Sequence, residues 1–540
     1  MMSKQDMAME TVDPVYDGLS EVKRGTAVDQ LDMQRVGKVQ ELRRNFRFIS
    51  VLGFTAVLMC TWEAILFTAS YILPNGGLAG MVWMYLVSLC GFAFAILSMA
   101  EMASMAATSG GQYHWVSEFS PRSCQRFLSY ITGWLCVLGW QVNIASGSYL
   151  VALQLQGIIV LNDNTYVAQP WHGTLMIIAV AVVAILFNTF AAKKLPLIEG
   201  VILIIHVFGF FAILIPLWVL APRNTAKAVF TEFTNADGWP SQGVACLVGI
   251  IGPMYSLLGP DSAVHMAEEI KDASRVLPLG MVWTLILNGA TGFIMVITFA
   301  FCITDIEAAL APSYYFTYVR HELYITSDSD ADPVNLWQID VFYSATGSRA
   351  AASVMTALIT LMCLCSTISN VATASRQMFA FARDRGLPFS DFLCRVRPGW
   401  DIPLNAVLVS FIVTCLLSLI NLGSSVAFNA IVSLTVGAIL SSYIISMSCV
   451  ALRRIRKDKP LPPARWSLGR YGLSINIAAV LFLLVIYVFA FFPLGTPVTV
   501  ETMNWSSLIY GFIVVFAIVY FFIYGRKVYG GPVVLVKQDY

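Results

Sequence analysis

Gly252-Pro253-Met254-Tyr255-Ser256-Leu257-Leu258-Gly259-Pro260-Asp261 sits in the middle of an apolar run covering residues 243–266. A helix needs about 20 apolar residues to cross a hydrocarbon core, and this run is long enough. Two Gly-Pro pairs and an acid at mid-depth do not suit a plain lipid-spanning helix. Proline removes a backbone donor and clashes with the turn before it. Broken backbone is tolerated in a membrane only where it is buried in protein or lines a cavity. The stretch therefore predicts a discontinuous helix at an internal site. The first apolar run, 49–72, carries Met59-Cys60-Thr61-Trp62-Glu63 at a similar depth, without a proline. Interrupted helices at matching places in two halves point to a transporter's binding site. The first and sixth runs are five apart, as an inverted repeat of two five-helix units requires.

Working outward, comparable runs recur at 79–103, 127–157, 171–191, 197–220, 280–302, 350–378, 404–422, 427–451, 475–494 and 507–524. They predict an all-α integral membrane protein with about 12 transmembrane helices: a five-plus-five inverted repeat, broken in helices 1 and 6, plus two extra helices. The ten-residue alternating segments of a membrane β-barrel are missing. Of the 540 residues 58% are hydrophobic and only 12% are charged, against about 25% charged in a soluble domain. A net charge of +1 gives no reason to expect nucleic acid. The eleven cysteines lie mostly in apolar runs, with no CxxC and no Cys/His spacing for zinc, so they read as small core residues. No catalytic cluster, cofactor motif or metal site is read.

Three parts are expected: a mostly disordered cytoplasmic leader (1–48), the transmembrane domain (49–525) and a cytoplasmic tail (526–540). Most of the 33 Lys and Arg residues fall in the leader, the tail and alternate loops. The positive-inside rule then puts both termini in the cytoplasm. The long outer loop near 303–349 carries Asp328, Asp330 and Asp332, and an outer Asn504-Trp505-Ser506 is a possible glycosylation sequon.

Buried acids in a membrane are costly unless paired or wet. Glu63 and Asp261 show no intramembrane Lys or Arg partner in the sequence, so a proton, a cation or a cationic substrate group is expected to balance them. The competing reading is a protonated acid hydrogen-bonded between helices. Thr61, Trp62 and Glu63 with Trp140, Ser256, Gly259 and Asp261 form the expected substrate site, Trp62 offering a cation–π face. His206, seven residues after Glu199 and on nearly the same helix face, is read either as a proton carrier or as a satisfied core histidine. Ser366 and Thr367 are read as coupling or cavity-lining hydroxyls, or as helix-packing residues. Gln141 and Asn143 are further polar groups at depth. Glu268 and Glu269 are read as an inner gate with Lys271 or Arg383, or as an interfacial ion-pair cluster.

Three motifs carry a resemblance. Gly259-Pro260-Asp261 with Glu269 and Pro278, Ala100-Glu101-Met102-Ala103 leading into Gly110-Gly111-Gln112-Tyr113-His114-Trp115, and Ala374-Ser375-Arg376 followed by Ala380-Phe381-Ala382-Arg383-Asp384-Arg385-Gly386-Leu387-Pro388 together resemble the amino acid–polyamine–organocation superfamily. Within it they resemble the fungal amino-acid/choline branch, over about residues 40–525. The resemblance implies the five-plus-five fold, alternating access and secondary transport of an amino acid, GABA or choline. It also implies frequent proton coupling and residence at the plasma membrane. Two positions differ from the family pattern: Ala107 stands where a proline is usual, and Asp261 is shorter than the usual glutamate. A carrier of a specialised metabolite or alkaloid intermediate is the alternative. A nutrient-sensing receptor or membrane enzyme fits less well. The five histidines form no His-x-x-x-His pair, and the leader and tail are too short for a receptor domain.

Overall fold

The computed structural model describes residues 25–163, 165–304, 306, 337–396, 402–422, 427–457, 459–493, 495–500 and 503–532. The acidic stretch of the long outer loop and the first 24 residues lie outside them. The described chain is helical. Its principal helices are α1 (Ala27–Arg35), α2 (Phe48–Met59), α3 (Thr61–Met105), α4 (Gln112–Phe119), α5 (Gln125–Asn162), α6 (Pro170–Phe190), α7 (Leu195–Leu220), α8 (Gln242–Gly249) and α9 (Ile251–Leu257). They continue with α10 (Ser262–His265), α11 (Ala273–Cys302), α12 (Arg349–Arg383), α13 (Leu404–Ser418), α14 (Ala427–Arg456), α15 (Gly472–Phe489) and α16 (Ser506–Tyr520). Every expected apolar run falls on one or more of these helices.

Ten helical stretches among the described residues are long and apolar enough to cross a membrane. A helix satisfies its own backbone groups, which is why such runs take this form in lipid. Phe48–Met105 is counted as one stretch of 58 residues; at 1.5 Å per residue a straight helix of that length would be roughly 87 Å, far beyond a ~30 Å hydrocarbon core. It is divided by Cys60 (φ 48°, ψ 42°) and by Gly77 (φ 66°, ψ −161°). Large apolar side chains such as Phe208, Val219, Phe512 and Ile523 are exposed on the outside, as a lipid-facing surface requires. The most apolar window of the stretch from Phe428 to Arg456 is 89% buried, whereas that of the stretch from Ser506 to Val528 is 17% buried. The first is central and the second peripheral.

Of the leader expected to be mostly disordered, residues 1–24 lie outside the described residues. From Gly25 onward it is folded, because Asp29 gives it several anchors. Thr26 and Asp29 form a capping box at α1. The same Asp29 carboxylate accepts from the backbone N–H of Asp272 at 3.0 Å and of Ala273 at 3.1 Å, capping α11 as well. Arg44 pairs with Asp29 at 3.3 Å. Gln40 donates to the Glu268 carbonyl at 2.7 Å, and Phe46 bridges to Ile270. Lys38 forms a buried ion pair with Asp384. Burial pushes the Lys38 ammonium below the usual lysine range, and the Asp384 carboxylate opposes that shift.

Candidate functional site

Two breaks lie side by side at the centre. At the first, α2 stops at Met59, Cys60 turns into the left-handed region, and a new helix starts at Thr61. At the second, α9 stops at Leu257, Leu258 is extended and Gly259 has φ +107°. Pro260 cannot donate and disfavours helix at the residue before it. A Cβ at Gly259 would lie 2.6 Å from Leu58 Cδ2, so glycine is required both by conformation and by the approach of the two breaks. Pro253 leaves the Gly249 carbonyl without its helical donor, which explains the separation of α8 from α9. A Cβ at Gly252 would come within 2.1 Å of the Thr68 carbonyl oxygen, so α9 packs against the α3 backbone only because of this glycine.

A small cavity of about 30 Å³ lies between the breaks, α5 and α12. Met59, Cys60, Ala64 and Leu258 line it from the breaks, and Asn143, Tyr255, Cys363, Ser366 and Asn370 supply most of its polar and sulfur atoms. Among the described residues no charged side chain lines it. Asn143 Nδ2 donates to Asn370 Oδ1 at 2.8 Å, and Ser146 and Tyr255 share a hydroxyl hydrogen bond at 2.8 Å. Ser366 Oγ donates to the Leu58 carbonyl at 2.6 Å, satisfying one orphan acceptor at the end of α2. The first turn of α3, at the cavity wall, leaves N–H groups without intrahelical acceptors.

Of the residues expected at the site, Ser366 and Asn143 line this cavity. Glu63 is fully buried behind it, with Oε1 2.8 Å from His206 Nδ1. Among the described residues no Lys or Arg pairs with Glu63; the group that faces it is a histidine 143 positions away. Glu63 Oε2 and His206 Nε2 have no hydrogen-bond partner among the described residues. Trp62 packs its ring 5.9 Å from those of His206 and Phe210 instead of facing the cavity. Thr61 Oγ1 and Trp62 Nε1 are buried and unpartnered among the described residues. Glu199, read as lying on nearly the same helix face as His206, accepts from Ser369 Oγ at 2.7 Å.

Asp261 is also partnered, not open. It accepts from Gln112 Nε2 at 2.7 Å and from the Tyr443 hydroxyl, with His265 Nε2 at 3.5 Å. It ties the second break to α4 and α14. Trp140 packs edge-on against His265 at 5.6 Å. Ser256 Oγ donates to the Pro253 carbonyl and Thr367 Oγ1 to the Cys363 carbonyl, both within their own helices. Asn504 is buried and donates its amide nitrogen to the Ala490 and Phe492 carbonyls, at 3.1 and 2.9 Å. The nitrogen that would carry a glycan is thus engaged.

Glu268 and Glu269 lie on the face that also holds residues 25–47. Arg383 binds both Glu268 oxygens, at 2.6 and 3.0 Å, and Arg376 binds Glu269 at 2.8 Å. Burial raises the Glu268 carboxyl, but Arg383 together with Lys38 and Arg44 more than offsets this and holds it below the usual range. Of the two bases expected to pair here, Arg383 does so. Arg376 was missed, although an arginine inside an apolar run is itself a signal of a buried partner. Tyr255 and the Cys60–Cys363 contact were missed too. Their residue types are common in apolar helices, and nothing in the order of the chain brings them together.

A bundle of membrane-length helices with two broken helices facing each other across a small cavity has the form of a multi-pass membrane transporter. The amino acid permease family profile matches residues 46–518, and the chain belongs to that family. It is 30% identical to a Macrophomina phaseolina protein described as an amino acid/polyamine transporter, over 85% of this chain and 97% of that one. It is 28% identical to a choline transporter of Saccharomyces cerevisiae, over 97% and 88% of the two chains. Amino-acid permease 2 of Neurospora crassa is 25% identical, over 93% and 88%.

Proposed function

We propose that this permease is a proton-coupled secondary transporter of a small nitrogenous solute, an amino acid, GABA or choline, bound in the cavity between the two helix breaks. The observation that carries the reading is the pairing of those breaks around a small cavity with no charged side chain among its described lining residues. Half-helix ends supply the polarity there. The N-terminal turn of α3 attracts a carboxylate, while the carbonyl end of α9 and Tyr255 suit an ammonium. An amino acid would use both features and choline only the second. The Glu63–His206 pair holds or releases a proton one layer behind the cavity wall. The Glu268–Arg383, Glu269–Arg376 and Lys38–Asp384 pairs form the inner gate.

In this reading the Phe48–Met105 stretch crosses the membrane twice, with Gly77 at the turn, and α8 to α10 make a further broken crossing. That gives twelve crossings arranged as two inverted five-helix units plus two. Both termini are cytoplasmic, the gate face is the inner one, and the membrane is the plasma membrane.

The test is uptake of labelled GABA, choline, ethanolamine and amino acids by cells lacking their own permeases, with and without a protonophore. Saturable uptake of one solute, lost with the protonophore and in Glu63→Gln, supports the proposal. Uptake that survives Glu63→Gln removes that residue from it. If no solute moves although the protein reaches the surface, the nutrient-permease reading fails.

A further inference from the structure

We propose that Cys60 and Cys363 form a closable dithiol in the cavity wall, a site for peroxide-class oxidants and for dithiol-specific trivalent arsenicals. Their Sγ atoms are 3.8 Å apart although the residues are 303 positions apart in the chain. Both line the cavity. A disulfide has S–S near 2.05 Å, so closure needs the two sulfurs to approach by about 1.8 Å. One partner is held in place: Gln154 Nε2 donates to Cys363 Sγ at 3.4 Å, and Thr360 donates to Gln154 Oε1 at 2.7 Å. The other stands at the hinge itself. Cys60 adopts φ 48°, ψ 42°, a region uncommon for residues other than glycine. Glycine or asparagine would serve that turn at lower cost, so backbone geometry does not explain a cysteine there.

The chemistry balances with a peroxide. One thiol sulfur attacks a peroxide oxygen, the O–O bond breaks, and a sulfenic acid and one water form. The second sulfur then displaces the hydroxyl as a second water, and the S–S bond forms. Two thiols lose two protons and two electrons, and hydrogen peroxide is reduced to two waters. The cavity admits a water-sized molecule, and hydrogen peroxide is little larger. The bond would staple the break between α2 and α3 to α12. A carrier whose broken helices move against their neighbours would stop, and reduction would release it.

The experiment treats the purified full chain in detergent with hydrogen peroxide, blocks remaining thiols with an alkylating reagent, and reads the digested peptides by mass. The expected result is a linked pair containing Cys60 and Cys363, two hydrogens lighter than the sum and separated by dithiothreitol. Pre-treatment with phenylarsine oxide, which bridges two neighbouring thiols, should prevent the link. Cys60→Ser and Cys363→Ser should each lose the link and the arsenical protection. Recovery of Cys60 and Cys363 as separately alkylated peptides, or linked to other cysteines, would overturn the proposal. The mass readout on the unmutated chain decides this without a known solute and without relying on either variant's folding. In cells, oxidant should lower wild-type uptake at least tenfold, reversibly, while each serine variant keeps its own untreated rate. Equal inhibition of the variants would also overturn it.

Discussion

Replacing Arg383 with methionine removes one cation and leaves a buried carboxylate. Glu268 is fully buried and takes two hydrogen bonds from that guanidinium, at 2.6 and 3.0 Å. Breaking a buried, hydrogen-bonded ion pair from one side costs about 3–5 kcal/mol, mostly because the remaining charge is stranded. That loss falls on the closed arrangement, since an open gate would return Glu268 to water. At 1.4 kcal/mol per decade, the closed-to-open ratio should fall by roughly two to three and a half decades. Two further ion pairs on the same face, Arg376–Glu269 and Lys38–Asp384, remain, so opening of the proposed gate becomes frequent but not permanent. The assay is the rate at which Cys363 in the cavity wall reacts with N-ethylmaleimide in membranes, read by peptide mass. Arg383→Met should raise that rate at least tenfold. Arg383→Met combined with Glu268→Gln, which strands no charge, should recover most of the protection. A rate in Arg383→Met equal to wild type, with the protein still folded, would refute the assignment of this pair to a gate. So would a double variant no better protected than the single one.

Three other outcomes are expected. His206→Gln should leave Glu63 without its partner and make uptake insensitive to a protonophore; uptake that still collapses with the protonophore would remove the pair from coupling. Gly252→Val should destabilise the protein by at least about 1–3 kcal/mol, the usual cost of overpacking, because a Cβ would meet the Thr68 carbonyl at 2.1 Å. A lowered thermal midpoint checks this, and an unchanged one would contradict the packing. Asp29→Ala should cost about 1–2 kcal/mol for lost helix caps, more with the Arg44 pair broken. Faster hydrogen exchange at the amides of Asp272 and Ala273 would show it, and unchanged protection there would count against the anchoring of the leader.

The membrane helices were legible because each depends on local chain alone. A long apolar run must satisfy its own backbone in lipid, and Gly-Pro at mid-run must break it. The breaks at Cys60 and at Leu258–Gly259 were therefore readable from two short stretches, the second more directly because it contains proline. The partners of the buried acids were not readable. Glu63 meets His206, Asp261 meets Gln112 and Tyr443, and Asp29 caps a helix that starts at Ala273. Each such contact depends on which helix faces which, and hydropathy carries no record of facing. The same limit applies to the cavity. Asn143 stood out as a polar group at depth, whereas Tyr255, Cys60 and Cys363 did not. The sequence by itself determined a bundle of apolar helices, broken at two places, because those are properties of single segments in a solvent without hydrogen bonds. Only the tertiary structure decided which acids are paired, that residues 25–47 fold onto the face holding Glu268 and Glu269, and which atoms form the cavity wall. Those depend on distances between residues hundreds of positions apart, fixed by how closely glycines such as Gly252 and Gly259 let the helices approach.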